Sequence, residues 1–253
     1  MVLFVLALCL AGQDKSAPSD EEKIQQSVAD LGNEDVDVRN KATAFLKSLP
    51  FRHIETFRLQ AKTEQDAEKK TRLGTIVRHL AGKQGEALYR EGKLSEALLL
   101  LAEAGGAADP AAEVERRSTG IRQALLKEFA LFPDGGRRHY SPEVFREFRV
   151  QHGRWALPVL IEFLDPQGKY SLDAFQFLQH AMGQDAIPVV CARLKSAEEP
   201  RTYLYCDFLA MVGGSSDLAI KTLRTVMDDA QRTAVTRRCA RNALVYLKVI
   251  ESE

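Results

Sequence analysis

The chain has 253 residues, 35 basic and 35 acidic, and so carries no formal net charge at neutral pH. That balance argues against a dedicated nucleic-acid binder, which neutralises phosphates and shows a basic excess. Alanine and leucine abound, β-branched runs are scarce and only nine prolines interrupt, so a β-rich fold is disfavoured and an all-α protein is predicted.

In chain order, the apolar run of "MVLFVLALCLAG" is too short to span a bilayer and suits the core of a secretory signal. Cys9 and Ala11 are spaced for cleavage after Ala11, although no Lys or Arg precedes the run. Lipidation at Cys9 is disfavoured by bulky Leu8. Residues 1–18 are thus read as a signal peptide and disordered start, with a secreted or periplasmic mature chain that has no transmembrane span.

Ser19 and Glu22 have capping-box spacing. Ile24, Val28 and Leu31 then mark one helical face, and Gly32 suits a left-handed stop. In "NEDVDVRNKATAFLKSLP", Val38, Ala42, Phe45, Leu46 and Leu49 form a second stripe ended by Pro50. The order Asn33 or Asp35, Val38, Arg39, Ala42, Leu46 resembles the inner helix of a HEAT repeat. The resemblance covers residues 19–82, with "TEQDAEKKTRLGTIVRHLAG" as a further helix ending at Gly82, and implies a packing unit but no activity.

Residues 83–132 change character. "QGEALYREGKLSEALLLLAEA" resembles one tetratricopeptide hairpin, with Gly85, Gly92, Ala97, Leu101 and Ala104 at the small and apolar places that let two helices approach closely. A long helix follows, capped by Asp109 with Pro110 in its first turn. "PDGGRRHYSP" reads as a linker, and residues 133–140 are assigned to it.

From 141 to 253 the sequence has a beat. Gly153, Gly183 and Gly213 are spaced by thirty, and so are Phe145, Phe175 and Tyr205, and Phe148, Leu178 and Phe208. Each glycine ends a helix where the chain turns back, a place that asks for positive φ. Return helices then carry Leu157, Leu160, Ile161 and Leu164; Ile187, Val190, Cys191 and Leu194; and, slipped by two, Ala219, Thr222, Leu223 and Val226. Pro158 and Pro188 fall in first turns, where a missing N–H costs nothing. These units are HEAT-like and shorter than usual. Such pairs cannot bury their apolar flanks alone. The predicted fold is therefore all-α, a superhelical stack of antiparallel helix pairs, which the resemblance makes a HEAT-like (armadillo-like) α-α solenoid.

No motif supplies chemistry. The five histidines lack the spacing for a zinc protease, and no phosphate-cradling glycine loop or nucleophile elbow occurs. Asp35/Asp37 and Asp228/Asp229 lie at helix ends and read as caps. Cys191, Cys206 and Cys239 read as small core residues, with a Cys206–Cys239 bridge as an alternative. The arginines of the last helix, Arg232, Arg237, Arg238 and Arg241, read as a polar terminal cap.

The expectation is a non-catalytic scaffold that binds a protein or peptide and needs no cofactor. Candidate contacts are Arg137, Arg138 and Tyr140 on the linker, with Trp155 nearby, and Glu162, Arg193, Lys195 and Arg224 beside the return-helix stripes. The alternatives that the HEAT-like resemblance brings are a nucleic-acid-binding or base-excising protein, or a protein-modifying lyase.

Overall fold

A computed structural model describes residues 19–130, 140–164, 168–196 and 201–251. These are almost entirely helical, and no strand occurs among them. The signal-like segment and most of the expected linker, Arg137 and Arg138 included, lie outside the described residues. The chain divides into two compact units, Met1–Leu80 and Ala81–Glu253.

The first unit opens with α1 (Asp20–Asp30). Its capping box is formed: Ser19 Oγ accepts from the Glu22 N–H, and Glu22 accepts from the Ser19 N–H. Ile24, Val28 and Leu31 are buried as their spacing predicts. The stop differs from expectation, because Leu31 closes the helix in right-handed backbone and Gly32 has no positive φ. α2 (Val36–Ser48) is capped by Asp35 and buries Ala42 and Leu46 against α1. Arg39 shows why a cation belongs there. Its Nη1 donates to the carbonyls of Asn33 and Glu34 at 2.6 and 2.9 Å, tying down the turn. α3 (Ile54–Thr63) follows with Ile54 and Phe57 in the core.

α4 (Ala67–Arg90) does not end at Gly82. The helix runs on, because Gly82 stands opposite Ala104, where even a Cβ would lie only 3.4 Å from the Ala104 methyl. A Cβ on Gly85 would come to 2.9 Å from Leu101. These glycines are the slots into which α5 (Leu94–Ala104) settles, as the small-residue pattern predicts. The turn between them uses Gly92 at φ +78°, with Lys93 N–H returning to the Leu88 carbonyl at 2.9 Å.

α6 (Pro110–Ala130) starts at Asp109, whose carboxylate accepts the Ala112 N–H at 3.0 Å. It packs on α5 and sends Phe129 into the core. Then come α7 (Pro142–His152), α8 (Leu157–Phe163), α9 (Ser171–Gln176), α10 (Ile187–Ser196), α11 (Thr202–Val212), α12 (Asp217–Asp228) and α13 (Ala234–Tyr246). α9 passes directly into a π-helical segment, Phe177–Met182. All twelve residues of the three return stripes are buried. Segments thirty residues apart touch: α7 meets the π segment, that segment meets α11, and α10 meets α12, while α11 and α12 both meet α13.

The thirty-residue glycines are not alike. Gly153 and Gly183 have positive φ, +49° and +53°, and each opens a 3₁₀ turn. Gly213 sits at φ −81°. It is small because a Cβ would lie 2.8 Å from that of Ala219. The aromatic step also fails at one place: Phe145 and Tyr205 are buried, but Phe175 is only half-buried. A π segment holds an extra residue, so counting back across it brings Ala174, fully buried, to the place of Phe145 and Tyr205. Phe177 then packs edge-on against Phe129, Tyr140, Phe145 and Phe148, with centroids 4.9 to 5.8 Å away.

Candidate functional site

A cavity of about 690 Å³ opens between the α5–α6 turn and the 3₁₀ turn Gly153–Ala156. Its first wall is a helix stop. Gly106 takes φ +85°, its N–H bonds to the Glu103 carbonyl, and the Ala107 N–H reaches back to Ala102. This double closure turns the chain within residues 105–109 and lines the cavity with glycine and alanine. The second wall is one face of α6, carrying Glu113, Arg116 and Arg117. The third is Trp155, the only tryptophan in the chain.

The charged groups are organised. Glu113 takes two bonds from Arg116, both at 2.9 Å, and a third from Arg117 Nε at 2.6 Å. Arg117, so held, lies over the Trp155 ring with its guanidinium carbon 4.4 Å from the centroid. The hydrogen bonds from Arg116 and Arg117 draw the Glu113 carboxyl down to about 2. It is a fixed anion at neutral pH and no proton acceptor. One carboxylate thus positions two arginines, and one of these positions the indole.

Of the candidate partner contacts read from the sequence, Trp155 is the one placed in this cavity. Tyr140 is corrected from a surface loop to the core: it is 9% exposed and its hydroxyl donates to buried Asp173 at 2.9 Å. Glu162 is exposed but answers Arg122 of α6 at 2.6 Å. Arg193, Lys195 and Arg224 are exposed on α10 and α12. Among the described residues none of these three cations forms an ion pair, and the four do not converge with Trp155 on one site. Arg154 and Arg149, neighbours of Trp155 in sequence, are engaged elsewhere. Arg154 pairs with Glu86 and covers the Tyr89 ring, and Arg149 meets Asp185 at 2.7 Å. Burial pushes the Tyr89 hydroxyl well above the usual phenol range, and it donates to the Asp185 carbonyl at 3.2 Å.

Glu113, Arg116 and Arg117 were not legible as a site. Their spacing signals an ordinary ion-paired helix face, and only the Gly-Gly of "AGGAADP" hints at a turn beside it.

Cys206 and Cys239 are thiols and not a disulfide. Burial raises the Cys206 thiol to about 12. Among the described residues no three His, Cys, Asp or Glu side chains group as metal ligands, and no helix is long and apolar enough to cross a membrane. Comparison with protein-family models, with curated proteins and with solved structures finds no match to this chain.

Proposed function

We propose that this protein is a non-catalytic scaffold of HEAT-like stacked helix pairs, joined by a tetratricopeptide-like hairpin, that binds a protein or peptide segment in the cavity beside Trp155. The observation that carries the proposal is the Glu113–Arg117–Trp155 arrangement on that cavity. Tryptophan and arginine are the side chains most often found as anchors in protein interfaces. Here both are held in place before any partner arrives, which lowers the ordering cost of association. A cavity of about 690 Å³ accepts one or two bulky side chains. The alanine and glycine walls offer apolar contact, and Arg116, with Nε and Nη2 committed to Glu113, presents Nη1 to a carbonyl or carboxylate of the occupant. Because Glu113 is locked as an anion, the reading assigns the site recognition and no acid–base step.

The contacts between segments thirty residues apart support the stacked architecture. The test is affinity capture from source-cell extract on immobilised full-length protein, read by mass spectrometry. Trp155→Ala and Arg117→Ala are each expected to lower retention of the specific partner about tenfold, the scale of a single interface anchor. Arg224→Ala probes the separate face of α12. Capture unchanged by all three substitutions would overturn the assignment.

A further inference from the structure

A second surface lies on the side of α9, α11 and α13, independent of the cavity beside Trp155. On α11, Tyr203, Asp207, Ala210 and Met211 follow at helical spacing and form one stripe. Tyr203 is 40% and Met211 53% exposed, and across from them Tyr246 of α13 is 68% exposed. Between these helices is a groove of about 380 Å³, walled by Phe175 of α9, by Met211, and by Ala243 and Tyr246. Leu172, one turn before Phe175, extends the apolar face and is 62% exposed. Large apolar side chains left open this densely mark an interaction surface more often than chance.

The polar groups on the groove select its occupant. They include the Asn242 amide, the Tyr246 hydroxyl and one charged group, the Asp207 carboxylate. Among the described residues no cation pairs with Asp207, although it stands among apolar walls. Partial burial there lifts its carboxyl above the usual carboxylate range. Asp207 itself is exposed, and an unpaired carboxylate on the edge of an apolar groove is complemented by a partner that brings a cation.

We infer that the groove between α11 and α13 docks an amphipathic helical segment of another protein, one that sets bulky apolar side chains against Met211, Phe175 and Tyr246 and a lysine or arginine against Asp207. The recognition is that of a helix in a groove, with anchors three and four residues apart. The basic residue fixes register and direction, since only one placement brings it to the carboxylate.

The test is to pan a phage-displayed library of helical peptides against the full-length protein and then titrate the enriched sequences as labelled synthetic peptides by anisotropy. Enriched peptides are expected to carry apolar residues at helical spacing flanked by Lys or Arg. Met211→Glu and Asp207→Lys should each weaken them about tenfold or more, the scale of one charge-assisted contact or one apolar anchor. Asp207→Asn should weaken the same peptides less than Asp207→Lys. Both positions are exposed, and far-UV circular dichroism confirms that the variants fold. Trp155→Ala should bind these peptides as the natural chain does, which separates this groove from the cavity. No enrichment, enriched peptides without a basic residue, or binding unaffected by Met211→Glu would overturn the inference. So would a concentration-dependent dimer dissolved by Met211→Glu, which gives the face to a second copy.

Discussion

Glu113 is where one titrating group controls a whole arrangement. Its carboxyl is held at about 2, against 4.5 for an unconstrained glutamate, by the two guanidinium groups it accepts from. A depressed carboxylate contributes fully above its unfolded value, and the contribution is lost as pH falls through the folded one. The Trp155 emission spectrum is therefore expected to hold steady from neutral pH to about 3 and to change only near pH 2, where the folded Glu113 takes up its proton and releases Arg117. Glu113→Gln should show the altered spectrum already at pH 7, with its far-UV circular dichroism unchanged. A steady spectrum in that variant would mean that Arg117 needs no carboxylate to stay on the indole. At this scale the sequence shows Trp155 plainly, because it is unique. It cannot show that a glutamate and two arginines some forty residues earlier meet it, since their spacing is that of any solvated helix. Tyr140 misleads for the same reason: its polar neighbours suggest a loop, and its partner Asp173 lies 33 residues downstream.

Among elements, the return helices follow most directly from sequence. Each apolar stripe recurs at three, four and seven residues, and every member is buried. Their neighbours are harder to read. α4 passes through Gly82 because α5 fills the space that a side chain would have taken, and that contact is tertiary. The π segment after α9 is invisible to periodicity, yet it turns Phe177 into the meeting point of α6, α7 and α9. Phe177→Ala removes a fully buried ring that touches four others, and should cost about 3–5 kcal/mol of stability. Phe175→Ala, a change of equal size at a half-buried place, should cost clearly less. Chemical denaturation of the two variants would test the order, and equal losses would contradict the shifted register.

In the larger unit, the turn of the α4–α5 hairpin meets the repeating region tightly. Gly92 turns the hairpin at φ +78°, and a Cβ there would lie 2.9 Å from the Pro188 carbonyl oxygen and closer still to the Ala192 side chain. Gly92→Ala therefore meets both backbone strain and rigid atoms, and should destabilise by roughly 2 kcal/mol or more. Gly153→Ala has the strain alone, at φ +49° with nothing near. It should cost about 1–3 kcal/mol. Thermal unfolding of the pair would separate crowding from strain, and a milder effect at Gly92 would refute the crowding.

The π segment also bears on anyone who would lengthen this protein by duplicating a module. Phe177–Met182 accommodates a surplus residue, so the block that contains it matches its neighbours in letters but is one step out of phase in space. A tandem copy made from α7 and α8 would present Phe145 and Phe148 to the next block along, while a copy made from α9 and α10 would present Ala174 and Phe177 in their stead. The two blocks are not interchangeable bricks, and extension should start from the first.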